Sequence, residues 1–426
     1  MRRTKHLSQS TSWVIPLFYA VPALVAGMTV PRFETQFFPH LVSPMSVGSA
    51  TAIYSSIASG MIALTGIVFS LTFVMVQFSA TAYSPRLVLW IARDPVMSNA
   101  LGVFVATFLY SVSSLAGVDR NRSGTVPFLS VLMVIALLLA SVGMFVALVH
   151  RISLLQVNRM LIFTGDQGRS VIETLYEPLR SAAPIPDLVA EEQLPVTLTL
   201  IYRGRPRAVQ AIDVERLMEL ARSSDSVIEV VSSVGDTVVD ETPLLLVRNG
   251  SKPVSEAALR QAMVLGDGRT FEQDPKYALR LLVDIAIKAL SPAVNDPTTA
   301  VQALDQIQDL LLRLGRSQLE VGRYRDSEGK LRVIIGFPAW EDFLRLAFNE
   351  IRAYGCSSVQ VIRRMRAVIS DLIAALPAQR HEALRHWESR LNLAMTRSFG
   401  DTEEQRDASS EDRQGLGVAC KQRPAA

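Results

Sequence analysis

"IYSSIASGMIALTGIVFSLTFVMVQFSA", residues 53–80, runs without a single Asp, Glu, Lys or Arg. A helix this long in water would carry a charged face, so the run is built for a bilayer core, which takes roughly 20 apolar residues to cross. It is nevertheless not uniformly apolar. Ser59, Gly66, Ser70 and Gln77 are spaced by seven, four and seven residues, which at about 100° per residue places them on one narrow helical face. Such a face suits lipid tails poorly. Close helix packing is its plainer use, because small residues let backbones approach and Ser or Gln can bond across the contact. The alternative is the wall of a polar pathway assembled from several copies around an axis.

Three more runs free of Asp, Glu, Lys and Arg cover residues 13–30, 97–117 and 126–149. The first, "WVIPLFYAVPALVAGMTV", follows Arg2, Arg3 and Lys5 in the manner of a signal peptide. Because further spans follow, it reads as an uncleaved first span, bent at Pro16 and Pro22. Four spans put both chain ends on one side. Arg86 and Arg93 in the second loop, and Arg151, Arg159 and Arg169 after the fourth span, place that side in the cytoplasm, against Arg32, Arg120 and Arg122 opposite. No ionisable residue lies inside the four runs, which argues against a proton-coupled pump more than against a passive pore. "SPRLVLWIARDP", residues 84–95, has the spacing of a short amphipathic helix at the headgroup level.

Past residue 150 the character changes. Hydrophobic residues make up 49% of the whole chain and charged ones 19%, an average of two regimes. The expected fold is an α-helical membrane domain of four transmembrane helices plus an α+β cytoplasmic domain with a small β-sandwich-like unit. Its divisions are a membrane domain over 1–160, a helix and linker over 161–194, a small β-rich unit over 195–250, an α-rich cytoplasmic domain with a β-hairpin over 251–399, and a disordered tail over 400–426. The hairpin "GDTVVDETPLLLV", residues 235–247, resembles that of biotinyl/lipoyl-like barrel-sandwich modules. Glu241 stands where that pattern has Gly, and the modified Lys in its Met-Lys-Met setting is absent. The resemblance therefore implies a small β-sandwich and no carried prosthetic group.

A net charge of +3, without a long basic run, gives no support to a nucleic-acid partner. Cys356 and Cys420 are the only cysteines and stand without a neighbouring ligand set, so neither a disulfide framework nor a metal site is expected. His6, His40, His150, His381 and His386 are scattered.

The other informative stretch is "YALRLLVDIAIKALSPAVNDPTTAVQAL", residues 277–304, an apolar helix, a break and a second helix. Arg280, Asp284 and Lys288 follow at i, i+4 spacing, so Asp284 is expected to be structural and paired with a cation beside it. Asp296-Pro297 reads as an N-cap followed by Pro at the first helical position, as do Asp274-Pro275 and Asp94-Pro95. Arg269, Asp274, Asp284, Lys288, Asn295 and Asp296 form a candidate cytoplasmic polar cluster, with a structural role favoured. Catalytic and cofactor roles are not expected, because there is no Walker-type glycine loop, no G-x-S-x-G and no His-Glu-x-x-His.

"FSATAYSPRL" at 78–87, "GDGRTFEQDP" at 266–275 and "DIAIKALSPAVNDPTTA" at 284–300 resemble a bacterial family of predicted multi-pass membrane proteins known only by a domain of unknown function. The resemblance covers nearly the whole chain. It implies a bacterial inner-membrane protein and lends no reaction. Two functions remain in view: an oligomeric channel or transporter lined by Ser59, Gly66, Ser70 and Gln77 and passing a small ligand or ion, or a membrane-anchored sensing or scaffold protein with a closed bundle. The expected partners are the lipid bilayer and further copies of the chain.

Overall fold

The computed structural model describes residues 11–38, 40, 43–82, 95–118, 125–153, 157–179 and 194–417. Residues 84–94 of the expected amphipathic segment, Arg120, Arg122 and the linker 180–193 lie outside the described residues. The chain divides into two compact units, Met1–Gln156 and Val157–Ala426.

In the first unit, α1 (Thr11–Phe37), α2 (Val47–Ala82), α3 (Pro95–Leu115) and α4 (Phe128–Ser153) are each long and apolar enough to cross a membrane. Helix α3 packs against the other three. Its small residues allow this: a Cβ on Gly102 would come within 2.6 Å of the Tyr19 ring on α1, and one on Gly27 would collide with Ser113. Buried hydroxyls are paired inside the unit. Tyr54 donates to Ser130 Oγ at 3.0 Å, and Thr107 and Ser141 share a hydrogen bond of 2.8 Å.

The first span is longer than expected. Helix α1 runs on from Val30 to Phe37 and so carries Arg32 and Glu34, although the apolar run had been free of ionisable groups. Glu34 is 2% exposed, and its carboxylate accepts from the backbone N–H groups of Leu129 and Ser130 at 2.8 and 3.2 Å. It sits at the positive end of the α4 dipole, where a buried carboxylate is tolerated because orphan N–H groups need an acceptor.

The second unit begins with α5 (Val157–Leu175). The strands β1 (Val196–Ile201), β2 (Arg207–Ile212), β3 (Val227–Val230), β4 (Thr237–Val238), β5 (Pro243–Arg248), β6 (Met263–Gly266), β7 (Arg323–Arg325) and β8 (Leu331–Ile335) make two small sheets. One has the order β1-β5-β3-β8-β7, with β3 and β8 parallel, and the other has the order β4-β2-β6. Leu200, Val209, Ile228, Val238, Leu245 and Val333 share one core with Leu217 of α6 (Val214–Ser223) and Leu259 of α7 (Glu256–Gln261). The β-rich part is thus not closed at residue 250. Strand β3 buries Val227, Ile228 and Val230 and would be an open edge without the hairpin roughly a hundred residues later, a liability that pairing with β8 removes.

Glu241 adopts φ +68°, the left-handed region that Gly occupies without strain. Among the described residues its carboxylate pairs with exposed Arg203, a pair of little energetic consequence. Glu241→Gly is therefore expected to stabilise the protein by about 1 kcal/mol, read as a raised melting temperature. A lower one would mean that the Arg203 contact matters more than the backbone.

The helical part holds α8 (Pro275–Ala289), α9 (Pro297–Gly315), α10 (Trp340–Gly355), α11 (Val359–Ala375), α12 (His381–Ser398) and α13 (Thr402–Ser409). Helix α5 packs on α8 and α9, α10 on α8, and α11 on α9. The tail expected to be disordered is a correction: past Gly400 it forms α13 and a strap over 410–417. Asp412, fully buried, gathers the N–H groups of Gln414, Gly415 and Gly417, while Gln360 and Arg363 of α11 donate to the carbonyls of Gly415 and Gly417. A polar segment can be held this way by backbone hydrogen bonds, which composition does not reveal. Residues 418–426, with Cys420, lie outside the described residues.

Candidate functional site

Helix α8 and the turn after it carry most of the candidate cytoplasmic residues. Asp274 caps α8, accepting from Tyr277 N at 3.2 Å, and takes both Nε and Nη2 of Arg269 at 2.7 and 2.5 Å. It is 1% exposed, and that burial pushes its carboxyl above the ordinary range, while Arg269 pulls the other way. Gly235 lies against this pair: a Cβ there would come within 2.5 Å of both Arg269 Nη2 and Asp274 Oδ2. The Tyr176 hydroxyl and Thr270 Oγ1 are buried without a hydrogen-bond partner among the described residues.

Midway along α8, Arg280 donates through Nε to Asp284 at 2.6 Å and through Nη1 and Nη2 to Glu350 of α10 at 2.5 and 2.8 Å. The hydrogen bond to Glu350, ahead of that to Asp284, raises the Arg280 guanidinium above its ordinary value, and Arg280 holds Glu350 below the usual carboxylate range. Beyond the helix, Asn295 is exposed at φ +48° in the turn. Asp296 accepts from Thr299 N at 3.1 Å and Thr299 Oγ1 at 2.6 Å as the α9 N-cap. Lys288 is half-buried in the last turn of α8.

These groups do not converge. Fifteen helical residues separate the Asp274 end from the Asn295–Asp296 end, which is about 22 Å of rise. They form three stations, two on α8 and one in the turn after it, engaged in capping or in ion pairing. Glu350 belongs to the middle station and is not announced by local spacing, since it lies 70 residues from Arg280.

On α2, Ser59, Gly66, Ser70 and Gln77 are all exposed in the single chain. The residues that α2 buries against its own unit are Ala50, Tyr54, Ile57, Ala58, Met61 and Val68. At about 100° per residue these centre on the opposite side of the helix. A Cβ built on Gly60 or Gly66 meets nothing within 4 Å. The polar face therefore makes no helix contact within one protomer at its glycines. Among the described residues, no group of three or more His, Cys, Asp or Glu could hold a metal ion.

Comparison with known proteins also points to the membrane. The family described as "Predicted membrane protein (DUF2254)" matches residues 9–371. The chain belongs to that family. Uncharacterised proteins of Mycobacterium bovis and Mycobacterium tuberculosis are each 27% identical over 375 residues, covering 85% of this chain and 71% of theirs. No solved structure matches. The family's description names a membrane protein and no reaction. The polar face of α2 and all three stations fall within the DUF2254 match, whereas α12, α13 and the strap lie beyond it.

Proposed function

We propose that this DUF2254 protein is a homo-oligomeric channel or transporter of the bacterial inner membrane, with both chain ends in the cytoplasm, in which the α2 face of Ser59, Gly66, Ser70 and Gln77 meets neighbouring copies and borders a polar pathway. The observation that carries this reading is that the face is exposed in one protomer, opposite the side on which α2 is packed. Hydroxyls facing hydrocarbon would lose their water without gaining partners, which is costly. Contact with other copies or with a wetted axis relieves that cost. The protomer's own interior supports the same reading, because its hydroxyls are already paired between helices. A pathway then belongs between protomers.

Cysteine placed one at a time at Ser59, Ser70 and Gln77, in a background with Cys356→Ser and Cys420→Ser, is expected to react with small water-soluble thiol reagents in the bilayer. Cysteine at Leu64 or Val74, on other faces, is expected to stay protected. Inert cysteines on the polar face would reduce it to a dry helix contact and favour a membrane-anchored sensor with a closed bundle.

A further inference from the structure

Helices α10 and α12 pack against each other, and arginines recur along the seam. On α10, Arg345, Asn349 and Arg352 stand at i, i+4 and i+7, and on α12, Arg390 and Arg397 are seven apart, so each set occupies one helical face. Asn349 Oδ1 accepts from Arg390 Nη2 at 3.3 Å and ties the two faces together. The Arg390 guanidinium lies 4.6 Å above the ring of Trp387, which is 5% exposed and so forms a rigid floor. Arg352 Nε is buried and has no hydrogen-bond partner among the described residues. Burial, followed by the charges of Arg390 and Arg397, depresses the Arg352 guanidinium below its ordinary value. Among the described residues no carboxylate pairs with Arg352, Arg390 or Arg397, although Arg169, Arg248, Arg269, Arg280, Arg332 and Arg364 in the same unit all have one.

Three like charges held together, one of them partly desolvated, oppose folding unless something negative joins them. A carboxylate from the chain would relieve this, and among the described residues none pairs with the three. The fork geometry of guanidinium matches an anion offering several oxygens, above all phosphate. We propose that the seam between α10 and α12 binds a phosphate-bearing anion through Arg352, Arg390 and Arg397, either a soluble phosphate compound or the headgroup of an anionic lipid. This is independent of the α2 pathway and gives the second unit a ligand of its own.

The full-length protein in a neutral detergent at low ionic strength serves for the test, with the melting temperature as readout. Inorganic pyrophosphate and micellar phosphatidylglycerol are the two probes, with sodium sulfate and phosphatidylcholine as controls for general salt and lipid effects. At least one probe is expected to raise the melting temperature saturably beyond its control, and which one does so identifies the source. Arg352→Gln/Arg390→Gln should weaken that response about tenfold or more. Arg397→Gln, at an exposed position, should weaken it too, yet without any probe it should melt no lower than the parent, because it relieves repulsion. No response beyond the controls, an equal response in the variants, or a lower melting temperature of Arg397→Gln without probe would overturn the proposal.

Discussion

Arg280→Leu is expected to destabilise the protein by about 3 kcal/mol, the lower end of the cost of breaking a buried pair, because Arg280 and Asp284 side chains keep 19% and 17% of their exposure. One guanidinium lies between two carboxylates, Asp284 on α8 and Glu350 on α10. Removing it deletes charge-assisted hydrogen bonds to both and leaves two negative groups facing each other across a helix contact. For a domain of this size the melting temperature should fall by roughly 6–12 °C. The loss should also change with pH. Because Arg280 holds Glu350 below its ordinary range, the stability from this pair is complete above the unfolded carboxylate value and is lost as pH falls through the depressed folded one. In Arg280→Leu the depression disappears and that acid transition should move to higher pH. An unchanged melting temperature would mean that the cluster is not structural. Were Asp284→Asn equally stable yet functionally dead, Asp284 would belong to a working site.

How much of this was legible depended on range along the chain. The four spans could be read from composition alone, since a bilayer demands long uncharged runs. The Arg280–Asp284 pair was visible in its i, i+4 spacing, and Asp274 and Asp296 were visible as caps because each precedes Pro. What escaped was non-local. Glu34 looked like loop because hydropathy ends the first run at Val30, and only the approach of α4 gives its carboxylate partners. Strand β8 gave no hint that it pairs with β3, nor Glu350 that it closes on Arg280. The tail past Gly400 is polar enough to look unstructured, yet Asp412 organises it through backbone N–H groups. The seam between α10 and α12 could have been noticed from Arg345, Arg352, Arg390 and Arg397 at helical spacing, but not that two separate helices bring them together.

Gly66→Phe carries the second large expectation. Because a Cβ at Gly66 meets nothing within 4 Å in one protomer and the position faces away from the packed side of α2, the substitution should leave the protomer's own packing intact, and its melting temperature in detergent should match the parent's. In an assembly where this face borders a pathway, the added ring would project into it. Flux is then expected to fall by about tenfold or more. This combination, an intact protomer with a lost flux, separates a wetted axis from a position that merely helps one chain fold.

The most direct measurement is ion flux from liposomes containing the purified full-length protein, compared between parent and Gly66→Phe at equal protein density. The account predicts protein-dependent flux under applied voltage or osmotic tension in the parent and its near-loss in the variant. Liposomes that stay tight with the parent under both conditions, or a variant that conducts as well as the parent, would contradict it.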